Sequence, residues 1–116
     1  AGFEVAQLNV ISVDELKRVL EAGEDLLVVD VRRTGEYDAG HVPNAISIPL
    51  AELAESIPKL PVDRTMAIIC ASGYRSSIAI GVLERGGVKL PLNVLGGTAA
   101  WKNAGYEVQQ MEATTA

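Results

Sequence analysis

The 116-residue sequence contains one cysteine, Cys70, and one histidine, His41. A lone cysteine excludes an internal disulfide, and a free thiol is at home in a reducing compartment, so a cytoplasmic location is expected. One cysteine and one histidine cannot supply a usual four-ligand zinc site without carboxylates, and no ligand spacing suggests one. A basic face is also missing: the net charge is −5, and only 4% of residues are aromatic. Nucleic acid is therefore not an expected partner. No apolar run approaches the roughly 20 residues of a membrane helix, and no basic segment precedes an apolar one at the start, so no membrane partner is expected. There is no Walker-type glycine loop and no GxGxxG.

What the chain has is an apolar fraction of 48% with 22% charged residues, the composition of one ordinary globular domain. Ser12-Val13-Asp14-Glu15 reads as a capping box, and Val13, Leu16, Val19 and Leu20 recur at helical spacing until Gly23. Leu26 to Val31 is an apolar run broken only by Asp30, a buried-strand pattern. Thr34 to Gly40 reads as a short helix stopped by Gly40, Ala45 to Ile48 as a short strand, and Leu50 to Leu60 as a stretch that holds a short helix ahead of Pro61. Met66 to Cys70 is a third strand. Ser76 to Arg85 is a helix closed by Gly86-Gly87. Leu92 to Leu95 is a further strand, and Thr98 to Asn103 a last helical stretch. Strands without alternation, separated by helices, imply an α/β fold: a mainly parallel central sheet covered by helices on both faces. Ligands of such sheets bind beyond the carboxyl ends of the strands, where Asp30, Cys70 and Gly96-Gly97 all fall.

Cys70 thus stands where a strand ends and a loop turns toward a helix N-terminus. The helix dipole and unpaired N–H groups favour the thiolate there, lowering a cysteine pKa from about 8.5 toward roughly 3.5–7.5. The loop Ala71, Ser72, Gly73, Tyr74, Arg75 and Ser76 has no proline, so all six residues offer an N–H, and Gly73 permits positive φ. Such a nest would hold a thiolate or a second sulfur bound to it. Arg75 adds positive charge at the mouth, to steer an anion or to pair with a carboxylate. Cys70 and Arg75 enclose four residues, one fewer than the Cys-x5-Arg loop of cysteine phosphatases, which suits a single sulfur atom or a small anion better than a phosphate ester.

Val29-Asp30-Val31-Arg32, Glu36-Tyr37 and Gly40-His41-Val42-Pro43-Asn44-Ala45 together resemble the first signature of the rhodanese (sulfurtransferase) family. Cys70 to Ser76 resembles its active-site loop in the Cys-x-x-Gly-x-Arg form. Leu95-Gly96-Gly97, Trp101 and Gly105-Tyr106 resemble its closing signature. Asn44 departs from the glycine usual in the family, but asparagine also tolerates left-handed geometry. The resemblance implies a rhodanese-like fold over residues 11–108, with residues 1–10 as lead-in or linker and 109–116 as a tail.

It further implies that Cys70 is the catalytic residue of a sulfurtransferase. Cys70 would take sulfane sulfur from thiosulfate or glutathione persulfide, hold it as a persulfide against the loop of residues 71–76, and pass it to an external thiol or cyanide. No metal or organic cofactor is implied. Asp30 and Arg32 are expected to support the loop, Arg32 and Glu36 to pair at i, i+4, His41 to hydrogen-bond structurally, and Trp101 to pack. Val5 to Val10 weakly resembles the lead-in after a persulfide-oxidising metallo-β-lactamase-like domain, which implies a fused or docked domain of that kind as a further partner. The competing readings are a phosphatase or arsenate-handling enzyme using the same thiolate, and a non-enzymatic module that docks proteins or senses persulfide.

Overall fold

Among the described residues five short strands lie side by side in one sheet, and two central ones, Leu26–Asp30 and Thr65–Ile69, are almost unbroken apolar runs. The computed structural model describes residues 10–110. In chain order its elements are β1 (Val10–Ile11), α1 (Val13–Glu21), β2 (Leu26–Asp30), α2 (Thr34–Ala39), β3 (Ile46–Ser47), α3 (Leu50–Ser56) with a 3₁₀ turn at Ile57–Lys59, β4 (Thr65–Ile69), α4 (Tyr74–Arg85), β5 (Leu92–Val94) and α5 (Gly97–Asn103). The sheet order is β1-β5-β4-β2-β3, and every pairing is parallel. The expected α/β architecture is thus present. The expected lead-in of residues 1–10 and tail of 109–116 lie outside the described residues, apart from Val10, which pairs in β1, and Gln109 and Gln110. His41 and Gln109 exchange backbone bonds of 2.9 and 2.8 Å in an isolated antiparallel bridge.

Strand alternation sorts the core into two layers. On one face Val28, Ala67, Ile69 and Val94 pack with Leu16 of α1 and Trp101 of α5. On the other, Val29, Met66, Ile68 and Cys70 pack with Leu53 of α3 and Ala79 and Leu83 of α4. Each fully buried aliphatic side chain stabilises the fold by about 1.5–3 kcal/mol. The same parity that buries Met66 and Ile68 turns Cys70 toward α4.

Local signals explain most element ends. Ser12 Oγ accepts from Glu15 N at 3.1 Å, as a capping residue should. The reciprocal half of the expected box is replaced, because the Glu15 carboxylate pairs with Arg18. Asn44 takes φ +69°, so the asparagine does adopt the left-handed turn expected of a glycine there. Most ends shift by at most a single residue, but α4 starts at Tyr74, two residues before the expected Ser76, so Tyr74, Arg75 and Ser76 form its first turn instead of a loop. Among the described residues no helix is long and apolar enough to cross a membrane.

Candidate active site

The rim at the carboxyl ends of β2, β4 and β5 gathers Asp30, Cys70 and Gly97. Cys70 is 1% exposed and directly follows β4. Its Sγ accepts from Gly73 N at 3.1 Å and Ser76 N at 3.3 Å, and lies 3.4 Å from Ser76 Oγ. Gly73 is the N-cap of α4 at φ +111° and has no side chain to cap with. Ser76 is the third helical residue, whose free N–H an N-cap side chain would normally bind. The Cys70 sulfur takes that role. Of the six N–H groups of the loop, those of Gly73 and Ser76 bond the sulfur directly, and that of Ser72 also acts on it. Burial pushes the thiol pKa up, but the Ser76 hydroxyl and the N–H groups of Ser76, Gly73 and Ser72 outweigh it, so the net direction is down.

The backbone of Cys70 is held from the other side by α5. Thr98 N donates to Cys70 O at 2.8 Å, and Ala99 N donates to Ala71 O at 2.9 Å. Gly97, at φ +60°, makes this approach possible, as a Cβ there would sit 2.3 Å from Cys70 O and 2.7 Å from the Ala71 carbonyl carbon. The absence of a side chain at Gly97 thus lets α5 approach the backbone of Cys70 and Ala71. Gly97→Ala is predicted to cost about 2–3 kcal/mol through overpacking and a disfavoured φ, read as a lower urea midpoint. An unchanged midpoint would mean that α5 gives way without loss.

Of the charged pairings read from the sequence, one is not formed. Arg32, 5% exposed, binds Asp30 (0% exposed): Nη2 reaches Oδ2 at 2.8 Å and Nε reaches Oδ1 at 3.0 Å. Arg32 Nη2 also donates to Gly40 O at 2.7 Å. The expected Arg32–Glu36 pair is not formed, because Glu36 turns to Arg75 on α4 in a bidentate bond of 2.7 and 3.0 Å. Arg75 is thus held by a carboxylate at the rim. His41 is 4% exposed, stacked on Tyr37 with ring centroids 3.7 Å apart, and its Nδ1 lies 2.7 Å from Tyr37 O. That is the structural role expected of it. Trp101 is 3% exposed and donates Nε1–H to Glu107 O at 2.8 Å, again as packing.

The Arg75 bond, opposed by burial and helped by the Arg33 N–H, lowers the Glu36 pKa from 4.5 to about 2. A carboxylate whose pKa falls on folding stabilises the fold above its unfolded pKa, and this is lost as pH drops from about 4.5 toward about 2. Glu36 is 39% exposed, so solvent screening reduces the pair to about 1 kcal/mol. Glu36→Gln should therefore lower stability by about that amount at pH 7, with the gap to wild type closing between pH 4.5 and 2. A gap that stays constant with pH in urea titrations would contradict this.

One site residue, Asn93, and one partnership, that of Glu36, escape sequence reasoning. Asn93 Oδ1 lies 2.6 Å from Ser76 Oγ, which ties β5 to the cysteine's partner. Only its polarity between Leu92 and Val94 marks it. Glu36 is drawn to Arg75 across 39 positions, which no local spacing announces.

The rhodanese-like domain model matches residues 12–104. A sulfurtransferase of Allochromatium vinosum is 34% identical over 101 residues, covering 87% of this chain and 94% of that protein. The sulfur carrier protein YrkF of Bacillus subtilis is 34% identical over 91 residues, 78% of this chain, and the chain spans only 49% of its length. The crystal structure of a rhodanese-related protein from Thermoplasma volcanium superposes with a TM-score of 0.79 at 35% identity, covering 89% of this chain and 98% of that one. The cysteine-bearing loop, the parallel sheet behind it and these relatives agree, and the chain belongs to the rhodanese-like domain family, among relatives named sulfurtransferases.

Proposed function

We propose that the protein is a sulfurtransferase in which Cys70 carries the sulfur. One observation supports this above the others: a lone thiol at a strand end whose sulfur accepts two backbone N–H bonds at a helix N-terminus. That setting favours an anionic sulfur without a general base, which fits His41 standing apart in a structural role. Charge-assisted bonds of this kind are each worth roughly 1.5–3 kcal/mol. They would serve a thiolate and a persulfide anion alike.

The Cys70 thiolate attacks the outer sulfur of thiosulfate or of a persulfide such as glutathione persulfide. A Sγ–S bond forms as the donor's S–S bond breaks, and sulfite or a thiolate leaves with the electron pair. An external thiolate or cyanide then attacks the outer sulfur of the Cys70 persulfide and returns Cys70 as thiolate. With no second cysteine in the chain, discharge depends on that outside acceptor. The acceptor is a small molecule or a projecting thiol, because Cys70 is 1% exposed. A fused or docked domain that produces or consumes persulfide suits the same need. The proposed setting is the reducing cytoplasm.

A panel of sulfur donors and an aryl phosphate, each with an acceptor, tests the reading. Turnover is expected with at least one sulfur donor and none with the phosphate, because Arg75 is already held by Glu36 and the Cys-to-Arg loop is one residue short. Phosphate turnover that depends on Cys70 would move the chain to phosphatase chemistry. Inactivity with every sulfur donor would favour a docking or sensing module.

A further inference from the structure

The Ser76 hydroxyl has one proton and three neighbours that can accept it. Its Oγ lies 2.6 Å from Asn93 Oδ1, 3.1 Å from Gly73 O and 3.4 Å from Cys70 Sγ. While Cys70 is a thiol, the hydrogen bonds close: S–H donates to Oγ, and the hydroxyl donates to Asn93 Oδ1. Once Cys70 becomes an anion, the sulfur too is purely an acceptor. The Ser76 proton then faces three acceptors, and among the described residues its oxygen lone pairs face no donor. A carbonyl and a thiolate cannot change roles. A primary amide can, because a half-turn about its last side-chain bond exchanges oxygen for NH₂.

We propose that the Asn93 amide turns with the charge state of Cys70. It presents oxygen to Ser76 beside the thiol, and NH₂ beside the thiolate or persulfide anion. The turn frees the Ser76 hydroxyl to donate to sulfur. Asn93 is a positioning residue acting through Ser76, and its role rests on the reading of Cys70 as the reacting thiol.

The fold places it for this. Leu92 and Val94 face the α1/α5 layer, so alternation sends Asn93 toward α4. It stands opposite Ile68, two residues before Cys70. An aliphatic side chain would be the ordinary occupant of that face, where Met66 and Ile68 pack. The charges around the thiol come from other elements. Arg75 on α4 is held by Glu36 of α2, and Asp30 at the end of β2 is locked to Arg32. Lys102 of α5 and Glu52 and Glu55 of α3 are exposed to solvent. All of these stay constant when position 93 is changed, so a comparison across that position isolates the amide.

The experiment is the pH profile of Cys70 alkylation by iodoacetamide, which needs no sulfur donor and stands or falls separately from turnover. Asn93→Asp fixes an acceptor-only group against Ser76 and should raise the apparent thiol pKa by about 1.5 units. Asn93→Leu removes the donor without adding charge and should raise it by about 0.5 units. In the Ser76→Ala background both shifts should shrink to less than half, leaving only the direct Coulomb effect of the aspartate. Circular dichroism checks that each variant is folded, and Asn93→Leu carries the test if Asn93→Asp is not. Equal shifts with and without the Ser76 hydroxyl, or no shift in either position-93 variant, overturn the proposal. Thiol titration that behaves as described in a protein inert to every sulfur donor would leave this switch standing and remove the sulfurtransferase reading.

Discussion

Cys70→Ser is expected to lower sulfur-transfer turnover on the order of a thousandfold or more, with the fold intact. Serine is nearly isosteric, and the position, at 1% exposure, buries little volume that changes. The Gly73 and Ser76 N–H groups remain aimed at the new oxygen. What disappears is the proposed nucleophile, since an alcohol is not ionised by two N–H bonds at neutral pH. No other cysteine in the chain can take over. Initial rates of thiocyanate or persulfide formation, beside a thermal melt, check both halves. Activity within tenfold of wild type would place the chemistry elsewhere.

Asp30→Ala should cost about 3–5 kcal/mol, because it leaves the Arg32 guanidinium buried without its counter-charge. Arg32 is 5% exposed, and its guanidinium's one further bond among the described residues is to Gly40 O. Against a typical domain stability of about 5–15 kcal/mol, such a loss is large. It should also reach the site. Arg32 ties the end of β2 to Gly40, the cap of α2, and α2 carries the Glu36 that holds Arg75. Urea unfolding reads the stability. Combining Asp30→Ala with Arg32→Met should recover part of the loss, since no unpaired charge is then buried. A single-variant cost below about 1 kcal/mol would show that water reaches the guanidinium.

The parts of this molecule legible in its sequence are those in which neighbours in the chain are neighbours in space. Helix α1 announces itself through Ser12 and the spacing of Val13, Leu16 and Leu20. Strands β2 and β4 do so through unbroken apolar runs. The rim position of Cys70 follows from the topology those runs imply. The start of α4 is harder to see because its capping acceptor is a sulfur three residues before the N-cap, while Gly73 has no side chain to show. Strand β1 is two residues long and owes its pairing to β5, more than eighty positions away. Glu36 has two arginines within reach, and local spacing points to Arg32. The structure gives Arg32 to Asp30 inside the fold and Glu36 to Arg75 at the rim. Asn93 is invisible for a related reason: its partner, Ser76, lies on another element, and a lone amide in a short apolar strand carries no pattern of its own.

The central claim, that Cys70 accepts and holds sulfur, is tested most directly by intact mass spectrometry after incubation with thiosulfate or glutathione persulfide and removal of excess donor. A gain of about 32 Da is predicted, mapped to the peptide containing Cys70, absent in Cys70→Ser and erased by cyanide or a free thiol. An unchanged mass with every donor, or a gain that persists in Cys70→Ser, would contradict it.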